Sequence, residues 1–134
     1  MEIVLDTNVL VSAAIFPNSK PGLTYKIVFN NHVLLHSLDL AAELEKTLLS
    51  KKMRKYIKQK DAVAFLSNFK GKSKLVVITS SVHESRDPKD NHILELAIDG
   101  NADLIVSGDR DLLELNPFQN IPIISPSEFL DRHS

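Results

Sequence analysis

Asp6, Glu43, Asp90 and Asp109 are acids at positions where a strand end or a helix face would turn them toward the protein interior, and Asp111 stands close by. Asp6 follows the apolar run Ile3-Val4-Leu5, and Asp109 follows Leu104-Ile105-Val106 after Ser107 and Gly108. Each could simply be an N-cap, its carboxylate accepting a backbone N–H of the next helix. Asp111 reads as a first-turn acid favoured by the helix dipole, or as an additional metal ligand. Asp90 lies in "RDPKDNHILELA". There Asp87 before Pro88 makes an N-cap, and Asp90 three residues on could complete a capping-box-like pair. Yet Ile93, Leu94 and Ala97 follow Asp90 at i+3, i+4 and i+7, which puts it on the apolar stripe. A lone carboxylate facing the core is costly unless something neutralises it. Glu43 borders the stripe of Leu40, Leu44 and Leu48. Helical angles do not choose between it and Glu45, and Lys46 could pair with it at i+3. Carboxylates that converge repel one another and take up protons. A divalent cation relieves this, and an all-oxygen donor set suits Mg²⁺ or Mn²⁺ better than zinc.

The elements that must position these acids alternate in type. Short apolar runs predict strands at 2–6, 32–36, 74–79, 103–107 and 121–124, and helical segments are predicted at 7–15, 23–30, 38–49, 51–69, 88–99, 110–115 and 127–132. Residues 17–22, "PNSKPG", read as a loop, and Gly100 as the stop of the helix over 88–99. Strands that are continuously apolar and alternate with helices predict a three-layer α/β/α sandwich around a mostly parallel sheet. In such sheets ligands bind beyond the carboxyl ends of the strands, where Asp6 and Asp109 stand.

At 134 residues, 43% hydrophobic and 25% charged, the expectation is one soluble domain over 1–134. The absence of cysteine excludes disulfides, thiolate metal sites and a thiol nucleophile. The N-terminus lacks the pattern of a signal peptide and no stretch is long enough for a membrane helix, so a cytoplasmic protein is expected. The net charge of −1 hides an asymmetry: residues 51–74 hold nine Lys or Arg against one acid, a segment charge of +8 that leaves −9 elsewhere. Lys51, Lys52, Arg54, Lys55 and Lys58 are candidates to meet the phosphates of a nucleic acid, set against a solvated helix face around Met53, Tyr56 and Ile57. The five histidines read as structural; His92 in particular is expected to point away from Asp90.

The stretches "VLDTNVLVSA", "LAAELEKTL", "DPKDNHILELAIDGNADLIVSGDRDLLEL" and "IPIISPSEFL" together resemble the PIN domain (PilT N-terminus), especially the VapC-like toxin ribonucleases of type II toxin–antitoxin pairs. The resemblance spans nearly the whole chain and is most specific from Asp87 to Leu115. It implies that Asp6, Glu43, Asp90 and Asp109 form an acidic quartet and favours Glu43 over Glu45. It further implies supporting roles for Thr7, Asn8 and Ser107, one or two Mg²⁺ or Mn²⁺ ions, and hydrolysis of RNA to a 5′-phosphate and a 3′-hydroxyl. A homodimer and a cognate antitoxin protein are the implied partners. The rival readings fare less well. An aspartyl-phosphate phosphatase would place Asp where Asn8 stands, and a Rossmann module needs a glycine-rich turn after the first strand. A PIN-fold module that binds RNA or protein without cutting would be signalled by missing acids, and none is missing.

Overall fold

Ile3, Val4 and Leu5 are all fully buried, although successive residues of a strand point to opposite faces. A sheet carrying such a strand must be covered on both sides. The computed structural model describes residues 1–133; Ser134, the last residue of the expected domain, lies outside the described residues. The elements are β1 (Glu2–Leu5), α1 (Thr7–Ile15), α2 (Lys20–Asn31), β2 (Val33–His36), α3 (Leu38–Leu48), α4 (Gln59–Lys72), β3 (Lys74–Leu75), α5 (Asn91–Asp99), β4 (Leu104–Val106), α6 (Arg110–Leu113), β5 (Ile123–Ile124) and α7 (Pro126–His133). Every strand pair is parallel, in the order β3-β2-β1-β4-β5. Leu104, Ile105 and Val106 of β4 are buried like β1, so the three-layer arrangement holds. No helix among the described residues is long and apolar enough to cross a membrane.

The strand order reverses at β1. The chain builds β2 and β3 on one side of it and then crosses back to lay β4 on the other, with Ile3 opposite both Leu34 and Leu104. A crevice opens at such a reversal because the loops leaving the two central strands run apart. Asp6 leaves β1 there, and Ser107 to Asp109 leave β4.

Four expectations change. The helix predicted over 51–69 breaks into a 3-10 turn at Lys51–Lys55 and α4, which starts at Gln59. Nothing in the turn is fully buried, so no packing holds those basic residues in a regular helix. The strand predicted over 74–79 is only Lys74–Leu75, with the Val76 N–H still bonded to the His36 carbonyl; beyond it Thr79 and Ser80 donate to the Asp99 carboxylate at the end of α5. The loop predicted over 17–22 ends early: Ser19 caps α2, and Gly22 lies inside the helix with its N–H 3.2 Å from the Ser19 hydroxyl. Finally, α5 begins at Asn91 after a 3-10 turn at Pro88–Asp90, and its left-handed terminal residue is Asn101 (φ 51°), not Gly100. The amides of Asn101 and Ala102 return to the carbonyls of Ile98 and Ala97, a Schellman arrangement.

Two glycines separate close approach from mere flexibility. A Cβ on Gly22 would lie 2.3 Å from the Pro17 carbonyl oxygen and 2.5 Å from that of Phe16, whereas one on Gly71 near the end of α4 would meet nothing within 4 Å. Gly22→Ala should therefore cost at least about 2 kcal/mol in urea unfolding through forced backbone movement. Gly71→Ala should gain about 0.5 kcal/mol by removing unfolded-state freedom. Equal effects of the two substitutions would contradict this packing.

Candidate active site

Asp6 serves in two ways at once. Its Oδ1 accepts the Val9 N–H at 2.8 Å, capping α1, while its Oδ2 accepts the Ser107 hydroxyl. Its backbone N–H donates to the Val106 carbonyl, so the β1–β4 ladder itself sets where the carboxylate stands. Asp6 is 4% exposed. Burial raises its pKa above the ordinary aspartate value, against the lowering by Ser107 and Val9 and with the charges of Asp109 and Glu43. Asp109 caps α6 by accepting the Asp111 N–H at 2.9 Å, and its own N–H donates to the Ser107 hydroxyl oxygen at 2.9 Å. Ser107 thus ties the two strand-end acids together.

Glu43 enters from α3, where its Oε1 accepts the Thr7 hydroxyl. Glu45 faces outward and meets Lys70 at 3.7 Å, so the fold makes the choice that helical angles left open. Asp90 comes from the 3-10 turn ahead of α5. Its Oδ2 is buried with no hydrogen-bond partner among the described residues. Burial chiefly, then a carboxyl–carboxyl contact with Asp109 and the charges of Asp109, Asp87 and Asp6, push its pKa up to about 7. Asp6, Glu43, Asp90 and Asp109 line one cleft of about 670 Å³, with Thr7, Asn8, Ile93 and Met53 among its walls. No Lys or Arg among the described residues forms an ion pair with any of the four. Carboxylates brought together with no Lys or Arg partner among the described residues, one with a bare buried oxygen, form an all-oxygen donor set that fits a hard divalent ion.

A model of the PIN domain family matches residues 2–111, a span that contains all four acids. The chain belongs to the PIN domain family. It is also 30% identical to the uncharacterized protein MJ1680 of Methanocaldococcus jannaschii, over 98% of this chain and 90% of that protein. The crystal structure of VapBC2 from Rickettsia felis bound to a DNA fragment from their promoter shares the fold. There the TM-score is 0.64 at 17% identity, covering 93% of this chain and 98% of that one.

Around the PIN cleft the expected supporting residues divide. Thr7 and Ser107 bond acids directly, whereas Asn8 lines the cleft exposed. Carboxylate oxygens of Asp90, Asp109 and Asp111 lie within 4.8 Å of one another, but Asp111 sits on the outer flank, 3.7 Å from the Arg86 guanidinium. Of the basic candidates only Lys52 lines the cleft; Lys51, Arg54 and Lys55 are exposed elsewhere on the turn, and Lys58 borders a separate groove beside Tyr25 and Phe65. Lys46 and Lys89 join Lys52 at the cleft, and sequence reasoning missed both. The pairing offered for Lys46 with Glu43 does not form, and Lys89 lies outside the basic segment.

His92 makes a contact that sequence reasoning missed: its Nε2 lies 3.4 Å from Glu43 Oε2. Helical angles counted from Asp90 could not find it, because the partner comes from α3. A second missed device holds the approach to Asp90. Asn91, Glu95 and Asp99, spaced by four along α5, accept the N–H groups of Ser85, Val82 and Thr79 in turn, the last of these with Ser80. This ladder lays residues 79–85 along α5 and delivers the chain to Asp87 and Asp90. The Ser80 and Thr79 donors hold the Asp99 carboxyl below the usual range.

The pH response of the metal-free protein follows from Asp90. Its pKa is about 7 folded against the ordinary aspartate value of 3.8, so in that window the folded protein binds more protons and loses stability as pH rises. His32 and His36, whose pKa values burial lowers, act oppositely below about 6.5 but are common to wild type and variant. In EDTA, Asp90→Asn should therefore melt higher than wild type, by a margin that widens from about pH 4 to about pH 8. A constant or negative margin in thermal melts would contradict the crowding.

Proposed function

We propose that this PIN domain acts as one unit to hydrolyse RNA phosphodiester bonds as a Mg²⁺- or Mn²⁺-dependent endoribonuclease, and that it is the toxin of a toxin–antitoxin pair. The observation that carries the reading is the meeting of Asp6, Glu43, Asp90 and Asp109 in one cleft with no Lys or Arg paired to any of them among the described residues. Those four residues, with Asp111 at the flank, would hold the ion. When bound, a divalent ion lowers the pKa of water and neutralises charge that develops on the phosphoryl oxygens.

The chain's own residues supply the rest. Ser107 and the Val9 N–H fix the Asp6 carboxylate, and the Asp111 N–H fixes that of Asp109, so neither acid needs to reorganise during the reaction. Lys46, Lys52 and Lys89 stand on the cleft where phosphates flanking the scissile bond would lie. Such contacts position the strand without reading sequence. Ile93 and Met53 give the cleft apolar wall. The likeness to the Rickettsia felis VapBC2 fold supports a cognate antitoxin as partner. By the family resemblance the products carry a 5′-phosphate and a 3′-hydroxyl, the working form is a homodimer, and the compartment is the cytoplasm.

The test is cleavage of structured and single-stranded RNA. Cutting should require Mg²⁺ or Mn²⁺ and stop in EDTA, and Asp6→Asn should lower the rate at least about a hundredfold, as loss of a preorganised charge-stabilising group does. RNA binding without cleavage in either metal would instead favour a PIN module that only binds.

The lysine rim gives a separate measurement. Lys52→Ala should weaken RNA binding evenly across sequences and reduce the slope of log affinity against log salt by about one. An unchanged slope would remove Lys52 from the RNA path.

A further inference from the structure

We propose that His92 is a positioning residue for Glu43, holding that carboxylate at the cleft through its Nε2. This deepens the proposed metal-dependent reading and rests on it. The four acids are not equally restrained. Asp6 and Asp109 each accept a backbone N–H, from Val9 and Asp111, and both are tied to Ser107. Glu43 accepts no backbone N–H; the Thr7 hydroxyl of α1 bonds its Oε1, and the His92 Nε2 of α5 makes a polar contact with Oε2 at 3.4 Å. It is also the longest of the four side chains, with the most rotamer freedom to lose. Repulsion from Asp6 favours the rotamers that swing it out of the cleft, toward water. The Asp90 side chain likewise accepts no backbone N–H among the described residues, but it is shorter and has Oδ2 buried, so Glu43 is the acid with the most freedom to leave the cleft.

His92 acts through Glu43 and not as a ligand. It is absent from the residues that line the cleft, and its side chain is 16% exposed against 38% for Glu43, so it stands behind the carboxylate. Its Nδ1 is buried without a hydrogen-bond partner among the described residues, which leaves the Glu43 contact as the polar interaction that orients the ring. A buried polar nitrogen without a partner costs stability. For packing alone, an apolar ring would serve the interface of α3 and α5 better. A polar ring kept there at a cost is explained by what it does for Glu43. Such outer partners of ligating groups commonly change metal affinity about 10- to 100-fold when removed.

The experiment uses the full chain and Mn²⁺ itself as probe. His92→Phe keeps a planar ring and removes the donor, and His92→Gln restores a donor at similar reach. Mn²⁺ dissociation constants come from electron paramagnetic resonance titration, and stability from melting in EDTA. His92→Phe should bind Mn²⁺ about 10-fold or more weaker than wild type, with an EDTA melting temperature equal or higher, and His92→Gln should recover most of the affinity. In RNA cleavage at fixed Mn²⁺, kcat should fall in His92→Phe while KM stays unchanged. The inference is overturned if His92→Phe binds Mn²⁺ within about twofold of wild type. Should His92→Phe fold poorly, a well-folded His92→Gln that binds no better than an Asp6→Asn control overturns it equally. A wild-type protein that binds no Mn²⁺ brings down the proposed function itself, an outcome distinct from these two.

Discussion

The structure is organised around one electrostatic burden, the crowding of like charges at the carboxyl ends of β1 and β4. Asp6 and Asp109 leave neighbouring parallel strands at the point where the strand order reverses, and Glu43 and Asp90 are brought to the same cleft by α3 and the turn before α5. In water such acids would stay apart. Here the strands cannot let them separate, because the backbone N–H of Asp6 is itself part of the β1–β4 ladder. Burial first, with the like charges adding to it, raises the pKa of both Asp90 and Asp6.

The remainder of the fold bears that burden. Fully buried residues on both faces of β1 make the centre of the sheet rigid, since every side chain there would leave a cavity if it moved. Ser107 couples the two strand-end acids through a single hydroxyl that donates to one and accepts from the backbone of the other. The ladder of Asn91, Glu95 and Asp99 anchors the segment leading to Asp90, together with the edge pairing of β3 and the contacts of Arg86 with Asp111 and Glu114. These are ordinary hydrogen bonds, each modest alone, yet all act on the elements that carry acids.

Charge outside the cleft is arranged with the opposite sign close by. Lys46, Lys52 and Lys89 come from α3, the 3-10 turn and the turn ahead of α5, so the basic rim is not a property of any one segment. The +8 segment seen in the sequence is in fact divided, with Lys52 at the cleft and Lys58 on a separate groove. An acid centre within a basic rim is the arrangement that the proposed cutting of a polyanion would use, the rim meeting flanking phosphates.

The sequence by itself determined the alternation of strands and helices and the α/β class, because apolar runs and their bounding turns are local signals. It also determined that Asp6 and Asp109 end strands, since one buried run precedes each. What it left open depended on who the neighbours are. Glu43 and Glu45 present similar angles, and only the packing of α3 sends one to Thr7 and the other to Lys70. Asp90 looked helical, yet a 3-10 turn carries it, and the meeting of His92 with Glu43 was hidden because the partner comes from α3. The basic run looked like a helix face until a 3-10 turn with nothing fully buried broke it. Propensity and periodicity describe one segment at a time. Contact between residues far apart in the chain is decided by which elements the sheet brings side by side.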